Sequence, residues 1–231
     1  MAKGITRELI VEAALGALDD GGIDAVTLRA VATRLDVRAP ALYWHVRDKQ
    51  QLLDEMGTEI QRRVQRAVSQ IPAGTPWPDA LECYARVLRR EYLAHRDGAR
   101  TFSGTRLTDP ELLRGQEPRL ADWVAQGVGL VDAMDAAELV TAYVVGFVIE
   151  EQERAQSAAS DPDRYSLDVR DAAVGPDSPL VAASGHVRAD ADARFARQLA
   201  VLVAGIVARV GAPARPAAER PPRAPSAGAA D

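Results

Sequence analysis

The chain has 231 residues, 47% hydrophobic, 26% charged and 5% aromatic, with a formal net charge of −5, which excludes a wholly disordered chain and leaves room for two compact domains. A single cysteine, Cys83, excludes an intrachain disulfide, and three histidines (His45, His95 and His186) give a Cys/His metal site few ligands to draw on. No apolar run approaches the roughly 20 residues of a membrane span and no signal-peptide core follows Met1, so a cytoplasmic protein with no membrane partner is expected.

Apolar residues recur at three- and four-residue spacing almost throughout, which predicts an all-α chain. Thr6 caps a first helix carrying Leu9, Ile10, Ala13, Ala14, Ala17 and Leu18 on one face, stopped by Gly21-Gly22. Thr27 caps a short helix to Arg34. Asp36-Val37 turns the chain, and a second short helix runs from about Ala39 to His45, with Pro40 in the first turn, where a missing N–H costs nothing. Asp48 caps a longer helix to about Ser69 that should span roughly 30 Å.

After a loop over Ala73–Pro78, a helix is expected from about Asp79 to His95, with Gly98 helping to end it. Asp109-Pro110-Glu111 signals a helix start, and Pro118 should kink or split that helix before Gly127. Asp132 caps a strong helix to about Gln156, and a last helix covers about Ala191–Val210. Between them, residues 158–190 are rich in Asp, Ser, Pro and Gly and too long for an ordinary connection, so the segment is expected to be mobile or functional. Residues 211–231, rich in Pro, Ala and Arg, are expected to be a disordered tail.

Two short helices joined by a three-residue turn, with a third helix packed across them, form a helix-turn-helix pattern. Between Thr27 and Lys49, Arg29, Arg34, Arg38, Arg47 and Lys49 outnumber Asp36 and Asp48, so an acidic chain carries a locally basic surface where phosphate would bind. Lysine otherwise occurs only at Lys3, and arginine suits bidentate contacts to phosphate or guanine. On spacing alone a solvated charged hairpin explains the pattern equally well. An enzyme is disfavoured: no phosphate loop, nucleophile elbow, Cys-His dyad or Glu-x-x-His pair occurs.

The residues Gly22-Ile23-Asp24-Ala25-Val26-Thr27-Leu28-Arg29 through Ala41-Leu42-Tyr43-Trp44-His45-Val46-Arg47-Asp48-Lys49 resemble the N-terminal domain of the TetR family of repressors. The resemblance implies an N-terminal three-helix helix-turn-helix domain over 1–48 and a C-terminal helical ligand-binding and dimerisation domain over 49–210. It also implies a homodimeric, non-enzymatic transcriptional regulator, binding a palindromic double-stranded DNA operator and released by a small-molecule effector.

By position, Arg29 resembles the family's base-reading arginine, Tyr43, Trp44 and His45 its backbone-contacting and groove-packing residues, and Lys49 its phosphate clamp. Thr27 and Arg38 join this set. Ala39 and Ala41, flanking Pro40, replace polar base readers; they can touch a thymine methyl but cannot hydrogen-bond, so the operator should differ from that of the family's tetracycline-responsive branch. Asp36 replaces the usual turn glycine, tolerable because Asp visits the left-handed region. The plainer readings make Trp44 a core residue and His45 a packing or capping residue.

The second half resembles the same branch at Arg96-Asp97-Gly98-Ala99-Arg100, Gly104-Thr105-Arg106 and Gly146–Glu153. In the family the last two long helices form a four-helix dimer bundle, and Val144, Val148, Val203 and Val210 widen the apolar stripes here. Where that branch places a magnesium-binding histidine, this chain has Phe102, so no metal and no cofactor are expected. The expected effector site is largely apolar: Gln65, Tyr84, Leu88, Phe102, Trp123, Tyr143 and Phe147, with Thr105, Arg106 and Glu150 orienting the ligand. The rival reading is a helical small-molecule-binding or scaffold protein using the basic motif to bind an acidic protein partner.

Overall fold

The computed structural model describes residues 4–210; the expected tail at 211–231 lies outside them. Among the described residues there are eleven α-helices, one 3₁₀ helix and no strand. No helix among them is long and apolar enough to cross a membrane.

The first helix, α1 (Arg7–Gly21), starts where the Thr6 hydroxyl accepts the Leu9 amide and buries Ile10, Ala14, Leu15 and Leu18. Next, α2 (Leu28–Arg34) is capped by Thr27, which accepts the Ala30 amide at 3.1 Å. The turn after it passes through Asp36 at φ 53°, the left-handed conformation expected of that residue. The second motif helix is a 3₁₀ helix, Ala39–Trp44, rather than an α-turn. Its tighter winding is used in short pieces of this kind.

Asp48 then accepts the Gln51 amide at 2.8 Å and starts α3 (Lys49–Val68), whose Leu52, Met56, Ile60 and Val64 are buried against α1 and α4 (Trp77–Leu93). Each such side chain contributes about 1.5–3 kcal/mol on leaving water. The chain then forms α5 (Gly98–Phe102), α6 (Pro110–Arg114) and α7 (Glu117–Ala125), with Pro118 in the first turn of α7, so the predicted split occurs. Gly98 begins α5 rather than ending α4, which stops at Leu93.

The longest helix, α8 (Leu130–Ser160), begins earlier and ends later than Asp132–Gln156 and is about 46 Å long at the standard rise. It packs along α4 through Val140, Val144 and Val148. The connection at 158–190 is not a structureless loop: it folds into α9 (Leu167–Val174) and α10 (Pro179–Val187), which pack on each other before α11 (Ala191–Val210). Neither short helix buries a residue fully, which is why no periodicity betrayed them. They are tied by Arg170, whose guanidinium donates to the Val181 and Ala182 carbonyls.

Candidate DNA-reading face and effector cavity

The short 3₁₀ helix presents its aromatics outward. Leu42 and Val46 are buried, whereas Tyr43 is 55% and Trp44 91% exposed. The reading of Trp44 as core is therefore overturned. His45 is half-buried and its carbonyl accepts from Arg7 at 3.2 Å. Thr27, Arg29, Arg38 and Pro40 are exposed and Ala39 and Ala41 half-buried on the same unit. Among the described residues Arg29 and Arg38 pair with no carboxylate, while Arg34 reaches Asp20 and Arg47 reaches Gln51. Lys49 donates to the Ile23 carbonyl at 3.4 Å from an exposed position. An exposed indole on a motif that also carries unpaired guanidiniums gains little from its own chain, and suits an anionic, groove-bearing partner.

The expected effector residues do not converge on one place. Gln65, Tyr84 and Trp123 line a cavity of about 450 Å³ between α3, α4, α6, α7 and α8, with Val64, Val68 and Leu112 supplying apolar wall. The Gln65 side chain lies directly over Gly115, where an added Cβ would meet its Nε2 and push the amide aside. The Tyr84 hydroxyl bonds to Thr141 at 2.9 Å, and the Thr141 hydroxyl in turn donates to the Ala137 carbonyl.

The other expected residues lie elsewhere. Leu88 is fully buried core. Phe102 stacks on Tyr92 at 5.4 Å, and Tyr143 and Phe147 form a cluster with Phe195 at 5.1–5.8 Å. Thr105 donates to the Phe102 carbonyl, and the amide of exposed Arg106 donates to Asp54. Glu150 is exposed and held by Arg154 at 2.6 Å, which keeps its carboxyl below the ordinary range.

Two residues not anticipated give the cavity its polarity. Arg119 lies over the Tyr84 ring at 4.7 Å and the Trp123 ring at 5.6 Å. Its buried Nε has no hydrogen-bond partner, and burial pushes the guanidinium below its usual pKa. Gln61 leaves a buried Oε1 equally unpartnered. The signal available in sequence was the four-residue spacing of Arg119 and Trp123, which puts a cation on a buried helix face. Among the described residues no group of three or more His, Cys, Asp or Glu could hold a metal ion.

A further cluster joins the motif to the helices behind it. Asp97, at φ 55°, accepts the Ile23 amide on Oδ2 at 3.0 Å and the Gln156 side-chain amide on Oδ1 at 3.0 Å. Gly22 permits this approach: it sits at φ 76°, and a Cβ would fall 2.7 Å from Asp97 Oδ2. Beside it, Asp19 accepts the Arg96 amide and faces His95 Nδ1 at 3.0 Å, while Arg63 donates to His95 Nε2 at 2.9 Å. Gln152 donates to the Tyr92 and His95 carbonyls. So α1 and the turn after it, the α4–α5 corner and α8 share one hydrogen-bond network. Its members are far apart in sequence and no local pattern links them.

Comparison with known proteins supplies the deciding observation. The description "Bacterial regulatory proteins, tetR family" matches residues 10–56, and "Tetracyclin repressor-like, C-terminal domain" matches residues 71–210. The chain belongs to the TetR family. It is 35% identical over 203 residues to the class A tetracycline repressor of transposon 1721 from Escherichia coli, covering 87% of this chain and 89% of the repressor. The TetR of Acinetobacter baumannii AYE superposes with a TM-score of 0.70 at 31% identity, covering 89% of this chain and 98% of that one. The Streptomyces coelicolor TetR family protein ActR, solved in complex with actinorhodin, gives a TM-score of 0.70 at 29% identity over 91% and 99% of the two chains. A TetR-family chain of this likeness is a DNA-binding, ligand-responsive transcriptional regulator and not an enzyme.

Proposed function

We propose that this TetR-family protein is a homodimeric repressor that binds a palindromic operator through residues 1–48 and is released by a small effector seated within 49–210. The observation that carries the DNA-reading assignment is Trp44, 91% exposed on a helix whose neighbours Arg29 and Arg38 have no carboxylate partner. Thr27, Arg29, Arg38, Ala39, Pro40, Ala41, Tyr43, Trp44, His45 and Lys49 then form the operator face. In a dimer, two such faces about 34–36 Å apart would enter successive major grooves.

The dimer reading rests on an uncharged patch midway along α8 and α11, over 139–146 and 201–208. Leu139 is 53% and Val201 75% exposed, and Ala142, Gly146, Ala204, Gly205 and Ala208 are exposed beside them. Small residues of this kind allow close helix approach, and a second copy would complete a four-helix bundle. Val144, Val148 and Val203 do not widen that face, because they are buried in the chain's own core.

The effector site is the cavity around Tyr84, Trp123 and Gln65. Its walls favour a largely apolar, ring-containing molecule, as its size and lining suit a compound of drug dimensions. Arg119 and Gln61 would orient it by taking one acceptor and one donor on the ligand. An effector that binds one dimer geometry better than the other shifts the population by that differential affinity. The long helix α3 runs from Lys49 at the operator face to Gln65 at the cavity, and Asp97 ties the same module to α8.

The test is a gel shift on an operator selected from random DNA. Arg29→Ala should weaken binding by about 1–3 kcal/mol, and unchanged retardation by both Arg29→Ala and Trp44→Ala would sink the face. A compound panel including actinorhodin and tetracyclines is then screened for release. A releasing compound whose potency survives both Arg119→Met and Tyr84→Ala would overturn the cavity assignment.

A further inference from the structure

A second cavity, of about 610 Å³, lies between the last turns of α8, the α9–α10 pair and the start of α11, away from the effector cavity. Five arginines line it: Arg154, Arg164, Arg170, Arg188 and Arg194, with Tyr165 among them. Carboxylates around it include Glu150, Glu151, Asp171 and Asp192, and each is already engaged, Asp192 by Arg89 at 2.7 Å. Glu151 is taken by Arg89 at 2.6 Å, Glu150 by Arg154 at 2.6 Å with Arg188 at 3.8 Å, and Asp171 by Arg170 at 2.9 Å and His186 at 2.7 Å.

Two guanidiniums are left over. Arg164 is exposed at the rim, 5.8 Å from the Tyr165 ring centroid. Arg194 is only 5% exposed, lies 4.6 Å from the Phe147 ring centroid and has no carboxylate or carbonyl partner; its Nε is buried and unpartnered. Burying a guanidinium with no carboxylate in direct contact is costly, and a planar fork of this kind is suited to a carboxylate or phosphate.

We propose that this cavity is a binding site for a small polyanion, a compound carrying two or more carboxylate or phosphate groups. Arg194 would grip one group at the cavity floor and Arg164 and Arg188 another at the rim. Tyr165, with Arg154 and Arg164 at 5.1 and 5.8 Å from its ring, would flank the bound molecule. Its lining shares no residue with the effector cavity or the operator face.

Calorimetric titration of the full chain with citrate in one arm and inorganic pyrophosphate in the other tests this, with sodium chloride at matched ionic strength as the control. Saturable binding of at least one probe, one per chain, is expected, and the arm that binds identifies carboxylate or phosphate as the preferred group. Arg194→Met keeps the apolar contact with Phe147 and should weaken binding tenfold or more. Arg164→Ala, on the exposed rim, should weaken it several-fold without touching the fold. Lys49→Ala, at the operator face, and Tyr84→Ala, at the effector cavity, should leave it unchanged. Absence of saturable binding in both arms, binding that survives both arginine variants, or loss in Lys49→Ala would each overturn the proposal.

Discussion

Trp44 and Trp123 stand on two short helices and meet opposite fates: one is 91% exposed, the other 1%. The difference lies in what surrounds each. Trp123 sits under Arg119 and 6.4 Å from Trp77, on a helix pressed against α8. Trp44 ends a 3₁₀ helix whose inward side is taken by the buried Leu42, and its indole projects away from the chain. A large apolar side chain that folding leaves bare, on a motif with unpaired cations, points to a partner outside the chain; the same side chain enclosed serves the fold and the cavity.

That contrast can be broken most severely at Trp123. Trp123→Ala should lose about 3–5 kcal/mol of stability, read as a lowered Tm, with DNA binding falling only as far as the folded fraction falls. Trp44→Ala should do the reverse, leaving Tm unchanged within about 0.5 kcal/mol while weakening operator binding by about 2 kcal/mol, roughly thirtyfold. A Trp44→Ala protein that loses stability instead would show the indole to be packed in solution. Lys49→Ala sharpens the basic side of the comparison: operator affinity should fall for every sequence alike, and the slope of log K against log salt should drop by about one. A change confined to one operator base would show Lys49 reading sequence.

The smallest effect is expected at Asp109, whose carboxyl is held below its ordinary range by the Glu111 amide and the Arg62 guanidinium. A depressed folded-state pKa adds stability above the unfolded value, and this is lost as pH falls through the folded value. Asp109→Asn should therefore be the less stable protein near pH 7, with the difference beginning to shrink as pH falls to about 4 and vanishing only below the depressed folded value. Urea midpoints measured at several pH values would check it; a gap that stays constant with pH would contradict the assignment.

Much of this was legible in the sequence because the signals are local. Thr27 and Asp48 do cap the helices they precede, Pro118 does divide α6 from α7, and Asp36 does take the left-handed turn. What escaped is set by contacts distant in sequence. Arg170 closes the α9–α10 pair across eleven residues, with no apolar stripe to announce either helix. Likewise, Phe102, Tyr143 and Phe147 carry the right chemistry for a ligand wall, yet they pack on Tyr92 and Phe195. Helical period fixes which side of a helix they occupy, not whether a neighbouring aromatic already fills the space.

Asp97 spends one oxygen on the Ile23 amide and the other on Gln156 of α8. A carboxylate shared in this way cannot transmit in one direction only. Coupling between two binding events is symmetric in free energy, so if release runs through this corner, operator DNA must weaken the effector by the same factor by which the effector weakens DNA. Effector titrations with and without operator would give that factor twice over, and Asp97→Asn should shrink both values together. Operator-bound protein would then hold the effector more weakly than free protein by that one factor, whichever of the two ligands arrives first.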